Sequence, residues 1–440
     1  MRSLAGQLYR RYSPRRFCAI VRLLNEHASL HDGLFESNVY GRPYVSFGGL
    51  VLSPAERHEL AGLTRVFYSV YEKAMREIIR EPSARLRSLG WPENLEHALR
   101  REPANLFLTP LGRFDFALDT AGVWRLMEFN SDTPSGAQEV TLVEERQWRY
   151  LQRLDGRLAR LNPAIEDAMR QALTDEAFFA PEPEGVPSSE GPRLNPKIGL
   201  LVQGRHLTDL AQVSYYADIL KKSGQDVVVG DISNFNLLAG QIYLLGQPVD
   251  AIYRLFPVEN LSIEPVFAAF LQSTLNGWLK SLNNLRGFFA QSKAIMAWIW
   301  QHRQSEIFTP EEQAVITRHL PETYLVEDLS ADFDYSSFIV KEFYGREGSE
   351  VYNGATLTPE GWQQCREWRT FVAQKRIEIA PVEHLMPDED WHGVELVEAF
   401  PCVGSFIFGG EWGGCYTRIG GKITDSFAQF IPTLTENSSL

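Results

Sequence analysis

Apolar residues fall at helical spacing from residue 54 to 80: Leu60, Leu63, Val66, Phe67, Val70, Tyr71, Ala74 and Ile78. Ser53-Pro54-Ala55-Glu56 opens this helix with a serine cap, a proline in the first turn and a glutamate at the third position. Residues 1–100 read as mostly helical, with short strand-like runs at Tyr44–Phe47 and Leu50–Leu52 just before the long helix. Alternation over 105–130 predicts a β-hairpin, and 138–175 returns to a helical pattern. Ala180-Pro181-Glu182-Pro183-Glu184-Gly185-Val186-Pro187 and the prolines up to Pro196 cannot pack a core and read as a linker. Beyond it, the apolar run Ile198–Val202, a helix over Leu207–Ser223 and a strand at Asp226–Val229 form a β-α-β unit with a parallel pair, and Ala251–Phe256 reads as another strand of that sheet. The last third is mixed. It has a helix at Lys293–Gln301, a strand at Ser337–Phe343, a strand or loop at Phe371–Ile379, and glycine-rich strand pieces over Gly404–Ile431.

The chain has 440 residues, 44% of them hydrophobic and 22% charged, which is ordinary globular composition with room for two or three packed units. Its net charge of −13 argues against general nucleic-acid binding, which needs a basic surface. No apolar run reaches the length of a membrane helix. The cysteines (Cys18, Cys365, Cys402, Cys415) form no CxxC pair and read as reduced and structural, which points to the cytoplasm. The Arg-rich first 25 residues read as an amphipathic surface helix rather than a targeting segment. P-loop, GxGxxG, HExxH and GxSxG motifs are absent. His384 and His392 flank Asp388-Glu389-Asp390, which reads as a solvated acidic loop rather than a metal site.

Three segments carry candidate chemistry. The first is the hairpin Arg113-Phe114-Asp115-Phe116 … Glu128-Phe129-Asn130. With Ala121-Gly122 as a two-residue turn, Asp115 lies opposite Glu128 and Arg113 opposite Asn130, all on one face. Two opposed carboxylates repel, and a divalent cation would cancel that repulsion. With an amide oxygen they are hard ligands suited to Mg²⁺. A solvent-facing polar strand with an Arg–Asp pair is the plainer alternative. The second segment is Lys341-Glu342-Phe343-Tyr344-Gly345-Arg346-Glu347-Gly348, a strand-end lysine before a Gly-rich loop that can close over phosphates. The third is the glycine-paired stretch Gly409–Gly414, followed by Arg418, Gly420-Gly421, Ile423 and Thr424.

These segments occur together and in this order, and with Leu126–Pro134 they resemble the glutathionylspermidine synthase-type family of ATP-grasp ligases over about residues 105–435. The resemblance implies an α/β (α+β) protein with a circularly permuted ATP-grasp fold and a Rossmann-like β-α-β pre-ATP-grasp domain. It divides the chain into an N-terminal helical segment plus acidic hairpin (1–175), a linker (176–197), a substrate-side β-α-β domain (198–290) and a nucleotide-binding lobe (291–440). It implies ATP and Mg²⁺ as cofactors, with Asp115, Glu128 and Asn130 as the metal ligands. Arg113 would contact the transferred phosphoryl group and the acyl oxyanion. Lys293, Lys341 and Arg418 would bind phosphates, Gly345, Arg346, Glu347 and Gly348 would form a lid, and Gln374 would sit near the adenine. The implied reaction joins a small-molecule carboxylate to an amine (amino acid, peptide or polyamine) through an acyl phosphate. The implied setting is cytoplasmic, without nucleic-acid or membrane partners. The competing expectation is a non-catalytic ATP-grasp-like module that binds nucleotide or a protein partner. The segment around Gln374 matches the family poorly, and nothing in the sequence identifies the two substrates or the oligomeric state.

Overall fold

The computed structural model describes residues 1–35, 38, 39, 42–102, 108–175, 196–204, 207–258, 266–276, 280–346, 348 and 350–436. The expected linker falls almost wholly outside these residues, as does Glu347. The protein is mixed α/β with several separate sheets.

An antiparallel sheet dominates, with strands in the order Gln429–Ile431, Glu411–Gly420, Val394–Phe408, Leu111–Leu118 and Trp124–Asn130, and with Val382–Pro387 added to the far end of the 15-residue strand. Strand side chains alternate, so the sheet has one packed and one chemical face. On the packed face, the Phe114 and Phe129 rings stack at 3.9 Å. Tyr71 meets Phe129 edge-on at 4.8 Å. Tyr71 comes from the helix Pro54–Ile78, whose capping box forms as expected: Ser53 Oγ accepts from the Glu56 amide while the Glu56 carboxylate accepts from the Ser53 amide. Thr64 on the same helix shares a 2.6 Å hydrogen bond with Ser405 of the sheet.

The hairpin departs from the expected turn. Thr120, Ala121 and Gly122 form a three-residue loop between Asp119 and Val123, closed by hydrogen bonds from the Asp119 amide to the Val123 carbonyl (2.9 Å) and from the Gly122 amide to the Asp119 carbonyl (2.9 Å). Gly122 takes φ +75°, which a glycine reaches at no steric cost. Leu118 therefore pairs with Trp124, one residue off the expected register. Continued unchanged, that register would set Asp115 against Met127 and separate the polar groups. A bulge at Met127 restores it, so Asp115 pairs with Glu128 and Arg113 with Asn130.

The parallel sheet is as expected, with Ile198–Val202 between Val227–Asp231 and Ala251–Arg254 and the helix Leu207–Lys222 as crossover. A third sheet, antiparallel, runs in the order Thr323–Leu325, Phe371–Lys375, Phe338–Glu342 and Val351–Asn353. The helical reading of 138–175 is interrupted. A π-helical turn at Glu139–Val143 leads into the helix Glu144–Leu151, a short strand follows at Leu158–Arg160, and the helix resumes at Ile165–Leu173. The strand pairs with Thr433–Glu436 from the other end of the chain, a pairing that helical periodicity cannot reveal.

All four cysteines are buried free thiols. His384, expected in a solvated loop, is instead buried on a strand, with Nε2 2.9 Å from Gln429 Oε1. Among the described residues, no helix is long and apolar enough to cross a membrane.

Candidate active site

The chemical face of the large sheet gathers groups from four strands. Arg113 and Asp115 stand on one strand, Glu128 and Asn130 on its neighbour, and Arg418 and Tyr416 two strands away on the other side. The strand between holds Gly404 opposite both Asp115 and Tyr416. A Cβ at Gly404 would stand 2.6 Å from Arg113 Cδ and 3.0 Å from Asp115 Oδ1. The missing side chain is what lets Arg113 lie flat across the sheet.

Arg113 and Asp115 form a bidentate pair: Nε donates to Oδ1 at 2.6 Å and Nη2 to Oδ2 at 2.9 Å. Arg113 Nη1 also donates to the Ser135 carbonyl at 2.7 Å. Arg418 Nη2 donates to Asp115 Oδ2 at 3.0 Å. Both guanidiniums lie over the Tyr416 ring, 5.1 and 6.0 Å from its centroid. Burial works against the charge on Arg418, but Asp115, with Tyr416, Cys402 and Glu128 adding to it, holds its pKa above the ordinary value. Asn130 Nδ2 donates to Asp115 Oδ2 (3.3 Å) and Glu128 Oε1 (3.2 Å). The amide hydrogens face the carboxylates, and among the described residues the amide oxygen of this cavity-lining residue remains available as an acceptor.

Lys293 and Lys341 arrive from outside the large sheet. Lys293 begins the helix Lys293–Gln301; its Nζ donates to the Gly345 carbonyl at 2.8 Å and lies 3.6 Å from Glu128 Oε2. Lys341, on Phe338–Glu342, donates to Gln374 Oε1 at 2.7 Å. Burial pushes the Lys341 ammonium down to about 8, helped by the like charge of Lys293 and opposed by Glu128. Burial would push Glu128 up, but Lys293, Arg418 and Lys341 together hold its carboxyl at about 2. Four cations thus surround two carboxylates in this cluster.

A cavity of about 910 Å³ opens on the cluster, within the size range of small-molecule sites. Arg113, Glu128, Asn130, Lys293, Gly345, Arg346 and Arg418 line it. Asp115 lies beneath Arg113, 1% exposed. Lys341 and Gln374 are not among the lining residues. Gln374 is buried, with Nε2 3.3 Å from Thr323 Oγ1 and its carbonyl oxygen taken by Lys341. Gly348, at φ +73°, lies against Ile423 and Thr424, so Gly348 and the segment after Arg418 meet.

The sequence reading missed several groups. Tyr44, Ser135, Glu139, Gln212 and Tyr416 all line the cavity. No local sequence signal marked Tyr416; only the structure shows that Gly136, at φ +104°, makes room for it, since a Cβ there would stand 2.8 Å from its ring. Asp132, inside the matched motif, proves to be a structural partner. It is fully buried and accepts from Arg254 Nη1 at 2.8 Å, tying the hairpin to the parallel sheet.

A magnesium ion fits part of this set. Glu128 stays ionised, and the Asn130 amide oxygen is a second hard donor. Asp115 is largely committed to the guanidiniums: Oδ2 accepts three bonds, and only Oδ1, with a single bond from Arg113, retains capacity. Among the described residues, no group of three or more His, Cys, Asp or Glu side chains is arranged to hold a metal.

The family model described as glutathionylspermidine synthase preATP-grasp matches residues 24–436. No curated protein matches the chain. Among solved structures, a glutathione synthetase-like effector (GSS30) from Globodera pallida in its apo form aligns at a TM-score of 0.59 with 10% identity, covering 96% of this chain and 97% of that one. A putative gamma-glutamylcysteine synthetase from Methylobacillus flagellatus KT aligns at a TM-score of 0.47 with 12% identity, covering 85% of this chain and 88% of that one. The likeness to the effector shows a shared fold.

Proposed function

The chain belongs to the glutathionylspermidine synthase preATP-grasp family, and from that premise we propose that it is an ATP- and Mg²⁺-dependent ligase that joins a carboxylate to an amine through an acyl phosphate. One observation carries the reading: Arg113, Arg418, Lys293 and Lys341, from four separate strands and helices, face two carboxylates, leaving an excess of two positive charges beside an open cavity. Such an excess suits a polyanion that brings its own cation. The acidic hairpin precedes the lysine strand in the chain, which we read as the permuted order of an ATP-grasp core.

In this reading Lys293 and Lys341 bind the phosphates, and Gln374 orients the Lys341 ammonium. Glu128 and the Asn130 amide oxygen would hold Mg²⁺, with Asp115 offering Oδ1. When bound, the ion supplies charge neutralisation and alignment of the phosphates. Phosphoryl transfer needs positioning and charge stabilisation more than covalent help. Arg113, fixed by Asp115 and the Ser135 carbonyl, is preorganised for the oxyanion of the tetrahedral intermediate. Gly345, Arg346 and Gly348, the last lying against Ile423 and Thr424, would serve in this reading to keep water from the acyl phosphate.

Thermal shift with Mg²⁺ and a non-hydrolysable ATP analogue tests the nucleotide site. The analogue should raise the melting temperature of the wild type through mass action, and Lys341→Ala should lose that shift. Arg113→Ala should retain nucleotide binding but lower ADP release across a panel of acid–amine pairs by about 10²–10³. No shift at millimolar nucleotide in the wild type would refute the reading.

A further inference from the structure

Among the described residues, Glu139 is the one buried carboxylate lining the cavity that the phosphate-binding cluster does not use. It is 6% exposed, and among the described residues the side chain that hydrogen-bonds to it is Tyr44, whose hydroxyl donates to Oε1 at 2.6 Å. The Tyr44 hydroxyl in turn lies 2.6 Å from that of Tyr416. The Tyr416 ring underlies the guanidiniums of Arg113 and Arg418. The carboxylate is thus anchored on the Arg113 side of the cavity, where the acyl oxyanion forms, and Lys293 and Lys341 do not contact it. Glu139 also opens the π-helical turn Glu139–Val143; such turns recur at functional sites because they re-aim side chains. The other acids lining the cavity, Asp209 and Asp425, are more exposed, so water competes for them. Burial raises the Glu139 carboxyl above its ordinary value, against the hydrogen bond from Tyr44, which brings it closer to an amine as a proton acceptor.

We infer that Glu139, held by Tyr44 and Tyr416, receives the protonated amine of the second substrate and takes one of its protons as the nitrogen attacks. This rests on the ligase reading above. The amine enters as an ammonium with three protons. One passes to Glu139 and frees the nitrogen lone pair. The C–N bond forms, the carbonyl oxygen carries the charge beside Arg113, and the C–O bond to phosphate then breaks. A second proton leaves with the phosphate as hydrogen phosphate, and the third stays on the amide. Glu139 returns its proton to solvent.

Hydroxylamine separates this role from the rest of the reaction, because it traps acyl phosphates as hydroxamates while neutral and weakly basic. The probes are glutathione and each of the twenty amino acids as acids, with spermidine, 1,3-diaminopropane or hydroxylamine as nucleophile. Glu139→Gln should lower kcat/KM for the amine by about 10²-fold, at least ~10-fold more than it lowers hydroxamate formation. Tyr44→Phe, which frees the carboxylate from its anchor, should give a smaller split of the same sign. The thermal shift with Mg²⁺ and nucleotide verifies that each variant is folded; should Glu139→Gln fail it, Tyr44→Phe decides. Equal losses with both nucleophiles, or no loss with either, overturn the inference. If the wild type binds nucleotide but forms no hydroxamate with any acid, the ligase reading fails and takes this inference with it. That signature involves no variant, so the two failures are distinguishable.

Discussion

Replacing Gly404 with alanine places a methyl group where the site has no room. The new Cβ would lie 2.6 Å from Arg113 Cδ, 2.9 Å from Arg113 Nε and 3.0 Å from Asp115 Oδ1. A flexible side chain end could yield, but Arg113 is held at both ends, by two bonds to Asp115 and one to the Ser135 carbonyl. Overpacking typically costs about 1–3 kcal/mol, and each charge-assisted hydrogen bond lost adds about 1.5–3 kcal/mol. With the strand giving slightly, a destabilisation of about 2–4 kcal/mol follows. Displaced from its position, Arg113 should also cost about 10²–10³ in rate. Gly62→Ala is the matched control: it lies inside the helix Pro54–Ile78, and a Cβ there meets nothing within 4 Å. The same change should stabilise the chain there by about 0.5–1 kcal/mol. Urea unfolding followed by near-UV circular dichroism reads both midpoints, with unchanged m-values marking a true stability change. A wild-type midpoint for Gly404→Ala would refute the packing argument, whatever its activity.

Arg254→Met should destabilise the protein by about 3–5 kcal/mol, because it leaves Asp132 charged and fully buried without its partner. Arg254→Met combined with Asp132→Asn should recover part of that loss in the same urea assay, and a double variant no better than the single would refute the account. Lys341, held at about 8, loses its charge well below the usual lysine range. Affinity for the Mg²⁺–nucleotide complex, read by calorimetry, should therefore fall as pH rises through 8, and Lys341→Arg, which keeps its charge there, should show a flat profile over that interval. The same shift acts on folding with the opposite sign. The unfolded lysine keeps its proton up to its ordinary value of 10.5, so between about 8 and 10.5 this group alone makes the nucleotide-free chain more stable as pH rises.

Short-range chemistry made much of this protein legible. Ser53 and Glu56 cap a helix by contacts three residues apart, and the β-α-β pattern at 198–254 follows from apolar runs and one amphipathic segment. The family resemblance legible in the sequence rests on Arg113-x-Asp115, Glu128-x-Asn130 and the segment from Lys341, all local strings. The pairing of Asp115 with Glu128 was expected from a two-residue turn. It forms instead through a three-residue loop and a compensating bulge at Met127, so the sequence pointed to the polar face but not to the backbone path that builds it. Tertiary structure decided the rest. Tyr44, Glu139 and Tyr416 are separated by up to 372 residues, yet their hydroxyl and carboxylate groups meet within 2.6 Å. Asp132 sits inside the motif, but its partner Arg254 lies 122 residues on, and only the packing of two sheets gives it a structural role. Gly404 is one of 33 glycines in the sequence, and nothing local marks it out. Its meaning is the Arg113 side chain lying across it, a contact between strands nearly 300 residues apart that exists only once the sheet has closed.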